Sequence, residues 1–294
     1  MIEPTVLAIP FFGLIIVVEL YLSYTMQSHN YKKLDVFGSI SMGIGSILVG
    51  IVTKGFIFLI YSFVFQYRLF DFEMTWPILI VLFFLDDFCY YWFHRISHGS
   101  RFLWASHSIH HSSQKYNLTT ALRQTWTGDL TGTFLFWIAL PFIGFAPEWV
   151  MVMKSISLIY QFWIHTELLN KFPKWIEFIF NTSSHHRVHH AIQDQYLDRN
   201  HAGVLIIWDR MFGTFVPEEE KPIYGLVKNI NTYNPLNIAF YEWWQILKDL
   251  RMNVGFFTKL KYVFYPPGWS HDNSRMTSAK LRSQYYKNPR KIDS

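Results

Sequence analysis

Apolar residues form long runs in the first half of the chain and none in its last third. That contrast predicts the architecture. Val6 to Tyr24 is apolar apart from Glu19 and is long enough to cross a bilayer, which takes about 20 residues. Lys32 and Lys33 follow it. Val36 to Phe65 is longer than one span needs and contains Lys54-Gly55, so it predicts either one long tilted helix or a helix broken at that pair. Trp76 to Phe93 predicts a third span, apolar up to Asp86-Asp87, that runs directly into the first histidines. Leu130 to Phe145 and Trp149 to Trp163 are shorter, and Ala146-Pro147-Glu148 between them predicts a tight helical hairpin in or partly in the membrane. Beyond Thr166 no run is long enough to span. There Asn234-Pro235 opens a helix through Trp243, Trp244, Ile246, Leu247 and Leu250, suited either to a membrane interface or to packing over the histidine-rich region.

Composition agrees with this reading. The chain has 294 residues, 51% hydrophobic and 19% aromatic against only 16% charged, which favours a membrane protein over a soluble one. Its one cysteine, Cys89, can build neither an internal disulfide nor a thiolate zinc site. The net charge of +5 is scattered among apolar runs, which argues against nucleic-acid binding. Met1 to Pro4 lacks a basic stretch and carries Glu3, so the first apolar run is expected to stay in the mature protein. Lys32, Lys33, Arg95, Arg101, Lys115, Arg123, Lys171 and Lys174 fall on one side of the spans and Arg68 nearly alone on the other, which predicts that the histidines face the cytoplasm. Two glycosylation-like triplets, at Asn117 and Asn181, are then read as chance.

The 13 histidines are the feature that composition does not explain. His94 and His98 lie one helical turn apart at the end of the third span. His107, His110 and His111, and again His186, His189 and His190, repeat the i, i+3, i+4 spacing that shares one helical face. One metal ion accepts four to six ligands, so eight imidazoles suit two ions with positions left open for oxygen or substrate. Imidazole alone does not choose among iron, zinc, copper and nickel. Asp87, on the same helical face as His94, is expected to accept the second ring N–H of a metal-bound histidine, whereas Asp86 is expected to be solvated. His165, at the end of the last apolar run, is a further candidate ligand, with His185 and His201 at the flanks. His29 and His271 are read as interfacial or loop residues. No dinucleotide fingerprint, Walker loop or Gly-x-Ser-x-Gly elbow is present.

The order and spacing of the three clusters resemble the H-x-x-x-H, H-x-x-H-H, H-x-x-H-H signature of the fatty acid hydroxylase superfamily, also called the sterol desaturase superfamily. The blocks from Asp87 to Arg95, Ala121 to Gln124 and Leu205 to Phe215 are similar to that family too, so the resemblance covers roughly Trp76 to Phe215. Tyr160 to Glu167, Tyr224-Gly225-Leu226 and Asn229-Ile230-Asn231 resemble its alkylglycerol monooxygenase branch and bacterial relatives. The resemblance implies a membrane di-iron oxygenase that hydroxylates a C–H bond of an alkylglycerol, acyl chain, polar lipid or sterol. It would use dioxygen and an external electron donor, either a protein or a soluble reductant such as tetrahydrobiopterin. Zinc is a metal with which such a site can be isolated. It also implies His165 as a ninth ligand, with Asp87, His185 and Asp209 around the ligand set. His201-Ala202, where the family leads one to expect tyrosine and glycine, and Ala191, in place of a usual glycine, are departures near the site. A desaturase sharing the metal centre is the near alternative, and a membrane metal-binding or transport protein is the distant one. The fold class expected is all-α, a multi-pass helical membrane protein with a cytoplasmic, histidine-rich helical cap. Its regions are 1–75, N-terminal and transmembrane, 76–220, the hydroxylase domain with its hairpin, and 221–294, an interfacial tail.

Overall fold

A computed structural model of the chain describes residues 4–28 and 30–287 and is all-helical, without strands among those residues. Among the described residues, three helices are long and apolar enough to cross a membrane: α1 (Pro4–Thr25), α2 (Lys33–Phe65) and α3 (Trp76–Gly99). α2 is continuous through Lys54-Gly55, which decides between the two readings of that run. At 1.5 Å per residue its 33 residues reach about 50 Å, well beyond the roughly 30 Å of hydrocarbon, so its ends stand clear of the bilayer core. α4 (Arg101–His111) follows α3 after a single residue, Ser100, whose extended backbone turns the chain.

The expected membrane hairpin is only half helical. Leu130 to Phe145 forms 3₁₀ turns at Asp129–Thr131 and Thr133–Trp137 and then the one-turn α5 (Ala139–Ile143). Gly132, at φ 79°, breaks the run. The return arm is a regular helix, α6 (Pro147–Trp163), with Pro147 at its start, where a missing N–H costs nothing. Gly144, at φ 135°, makes the turn between the arms, and a Cβ there would stand 2.2 Å from the Phe70 carbonyl oxygen. Leu69 and Phe70 donate backbone hydrogen bonds to Phe142 and Ile143, which fastens this turn to the loop joining α2 and α3. Ile57, Tyr61, Leu82, Trp137, Leu140, Phe145, Val150 and Met153 pack as one core among these segments.

Past α6 the helices are short: α7 (Lys174–Ile179), α8 (Ser183–His189) and α9 (Ile207–Met211). Then come α10 (Pro235–Leu250), α11 (Phe256–Phe264) and α12 (Ser278–Lys287). Asn234 caps α10 through Leu236 and Asn237 N–H, as Asn-Pro predicts. Buried charges pin the cap to the spans. Arg123 is fully buried and donates to Asp35 at 2.8 Å, to Ser39 and to Ser112, which joins the start of α2 to the end of α4. Glu19 of α1 accepts from Leu118 N–H at 2.7 Å and from the hydroxyls of Tyr31 and Thr166. Asn117 and Asn181 are both fully buried, so neither triplet is accessible in the fold.

Candidate metal centre

Nine histidines converge at the ends of α3, α4, α6 and α8, and they divide five and four. Ligand nitrogens of His94, His98, His107, His111 and His189 lie within 4.8 Å of one another, as do those of His110, His165, His186 and His190. The division cuts across the sequence clusters for a helical reason. Residues i and i+4 differ by about 40° around a helix and i+3 lies about 100° from i+4. So His107 and His111 face the first group while His110 faces the second, and His186 and His190 face the second while His189 faces the first. α4 and α8 therefore bridge both groups, with the His111 and His190 rings stacked at 4.4 Å.

The Nε2 atoms point inward. In the first group His107 Nε2 lies 2.9 Å from that of His94 and 3.2 Å from that of His111, and His189 lies 3.1 Å from His111. In the second, His165 Nε2 is 3.1 Å from His110 and 2.9 Å from His186, which is 3.2 Å from His190. The outer nitrogens meet backbone carbonyls: His94 Nδ1 faces His201 O at 2.7 Å, His189 Nδ1 faces Arg199 O at 2.9 Å and His165 Nδ1 faces Gln161 O at 2.7 Å. A carbonyl only accepts, so each Nδ1 carries the proton and each neutral ring turns its Nε2 lone pair inward.

Hydrogen bonding then fails to account for the first group. With lone pairs on both His94 and His189, no assignment of protons to His107 and His111 satisfies all three contacts, because an imidazole nitrogen is either a donor or an acceptor. One contact always opposes like with like. His98 Nε2 is in addition buried without a partner. A cation resolves both. Two nitrogens bound to one ion at about 2.1 Å lie roughly 3.0 Å apart at a right angle and about 3.4 Å apart at a tetrahedral one, close to the 2.9 to 3.2 Å contacts seen here. The residues present thus fit a metal ion in each group.

Burial enforces the neutral state that ligation requires. It pushes His107, His111, His165, His186, His189 and His190 well below the usual imidazole value, and His110 to about 4, with neighbouring imidazoles adding to the effect at most of them. Tyr116, stacked on Tyr224 at 4.8 Å, closes over the second group.

Several expectations about the surroundings change. Asp87 touches no histidine ring through its hydrogen bonds; its oxygens accept from Val204 N–H, Leu205 N–H and Trp208 Nε1 and so hold the 203–208 loop. The loop outcompetes the ring because the buried Val204 and Leu205 N–H groups and the half-buried Trp208 indole have no other partner among the described residues. Asp86 is buried, not solvated, and accepts from Trp137 Nε1 at 2.8 Å. His185 points away from both groups and pairs with Glu177 at 2.9 Å. Although burial raises Glu177, hydrogen bonds from His185, Phe172 N–H and Ser184 bring its carboxyl down to about 2. Asp209 acts through the backbone, accepting from His201 N–H and Ala202 N–H at 2.8 Å and from Thr214, and burial holds it at about 6. His201 offers its carbonyl to His94 while its ring lies buried 5.0 Å from that of His98. His271 sits in an exposed loop against Tyr262, and His29 lies outside the described residues.

Sequence reasoning missed Asp198, which faces His98 Nδ1 at 3.2 Å. It also missed Asn200, whose side chain ties His185 O to the backbone of Val216. Both adopt positive φ, 49° and 55°, and that conformation aims the Arg199 and His201 carbonyls at the rings. The turn-forming run Asp198-Arg199-Asn200 was the available signal.

Residues 79–214 match the family model described as fatty acid hydroxylase. The chain is 39% identical to alkylglycerol monooxygenase of Xenopus tropicalis over 90% of its own length and 59% of the relative's. Residues 79–214 thus carry a fatty acid hydroxylase domain. Alkylglycerol monooxygenase of Homo sapiens is 40% identical over 92% of the chain and 60% of the relative, and that of Danio rerio 37% over the same shares. The chain thus spans about three fifths of the length of these relatives. No solved structure matches it.

Proposed function

We propose that this chain is a member of the fatty acid hydroxylase family and a membrane-bound lipid monooxygenase whose two histidine groups hold two iron ions. The observation that carries this reading is the first group's set of inward lone pairs, which protons cannot satisfy and a cation can. Iron, unlike zinc, supplies redox chemistry with dioxygen when bound to such a set. The protein's part is to hold nine imidazoles in place, four of them through the carbonyls of Gln161, Arg199 and His201 and the carboxylate of Asp198. Burial of the ligands excludes bulk water from the reacting centre. Electrons come from an external donor, a protein or a soluble reductant such as tetrahydrobiopterin. The excess of basic residues on the histidine side of the spans supports a cytoplasmic site. The substrate is a lipid C–H bond, and alkylglycerols are the first to test because the curated relatives carry that name.

The test combines metal analysis of the purified protein with mass spectrometry of lipids incubated with protein, reductant and labelled dioxygen. Label in a lipid product supports the reading. Loss of two hydrogens without label would make the protein a desaturase, and bound metal with no lipid turnover would return it to metal binding alone.

A further inference from the structure

A cavity of about 490 Å³ reaches the histidines from the side of the C-terminal segment. Its inner end is lined by His98, His111 and His189, all of the five-membered group. Its size is that of a small-molecule site. Four charged side chains of its wall are held in ion pairs, Arg101 with Glu242 at 2.7 Å and with Asp249 at 2.6 Å, Arg275 with Asp249 at 2.6 Å, and Asp198 with His98 and Arg282, while the exposed Lys228 lines it outside these pairs.

Tyr241 and Gln245 of α10 line this cavity and also a second, smaller one of about 290 Å³ that continues to Trp244, Leu247, Lys248 and Arg251. The second cavity lies on an apolar face without a partner in the chain. Trp244 is 56% exposed, and Phe256 and Phe257 of α11 are 69% and 78% exposed. Lys248, Arg251, Lys259 and Lys261 stand among them, the basic and aromatic mixture of a helix lying in a headgroup layer. The location agrees: Ile238 and Ala239 of α10 pack on Met42, near the start of α2, where that span leaves the membrane.

We propose that α10 and α11 lie in the headgroup layer and form the portal through which a lipid enters the five-histidine group, past Tyr241 and Gln245. This rests on the lipid-oxidising reading for its purpose, yet the route is testable without turnover.

The experiment uses the full chain, metal-loaded, in phosphatidylcholine vesicles containing a glycerol monoether that carries a diazirine beside its head. After irradiation, peptide mass spectrometry maps the crosslinks. Labelling of the segments around Tyr241, Gln245 and Leu226 is expected, and labelling confined to the bilayer faces of α1 and α3 would overturn the portal. Gln245→Trp, which fills the junction of the two cavities, should lower labelling about tenfold. Leu247→Glu with Phe257→Glu changes only exposed residues; it should lower labelling from vesicles about tenfold but preserve it from detergent micelles, and undiminished labelling from vesicles would place the portal elsewhere. Crosslinks at the portal without labelled oxygen in any lipid would leave the route standing and remove the oxygenase reading. Oxygenated lipid without portal crosslinks would do the reverse.

Discussion

His189 shows how much one side chain decides here. Its Nδ1 is committed to Arg199 O and its Nε2 completes the five-membered group from α8, while its neighbours His186 and His190 serve the other group. His189→Ala should lower bound metal from about two ions to about one, abolish turnover and leave the protein in the membrane. Elemental analysis of the purified variant checks this, and retention of both ions would strike His189 from the ligand set. Asp198→Asn keeps the shape beside His98 but removes the charge, so metal affinity should fall by about 10–100-fold, read by competition with a chelator. Histidines were legible in the sequence because their i, i+3, i+4 spacing survives any tertiary arrangement. Their partners were not. Three are backbone carbonyls, two of which, those of Arg199 and His201, take their direction from φ at Asp198 and Asn200, and the expected partner, Asp87, is claimed by three donors more than 100 residues away in the chain.

At the scale of elements, hydropathy identified the three spans and misjudged the hairpin. Leu130 to Phe145 is apolar enough for a helix arm, but Gly132 at positive φ breaks it and the Phe70 loop fixes its far end. Gly144→Ala places a Cβ against the Phe70 carbonyl in a backbone conformation that L residues rarely adopt. It should cost about 1–3 kcal/mol, visible as a lower unfolding midpoint with the metal content per folded molecule unchanged. A midpoint equal to that of the parent would mean that the turn is free to relax. α10 is the opposite case. Its Asn-Pro start and aromatic content were plain, but periodicity left open whether it packs or lies on a membrane, and it packs on α2 and α4 with one side while Trp244 and Leu247 remain exposed.

For the whole molecule, the burial of so many imidazoles links stability to pH. In the unfolded chain each histidine titrates near 6.5; in the fold, burial holds His110 at about 4 and six others well below their usual value. Below 6.5 the unfolded chain therefore binds protons that the fold refuses, so stability falls with pH in that range and is insensitive to these groups above it. The unfolding midpoint of metal-free protein should be flat above about pH 7 and drop steadily toward about pH 5, and bound metal, which needs the same neutral rings, should make the drop steeper. A flat profile down to pH 5 would show that the rings are already charged in the fold. The sequence by itself determined the helical class, the three spans and the histidine inventory, because these depend on run length and helical period, which are local. The five-to-four division, the carbonyls that set the tautomers, and the cavity walled by α10 and the 267–281 segment were decided only by tertiary structure, since each depends on where segments far apart in the chain meet.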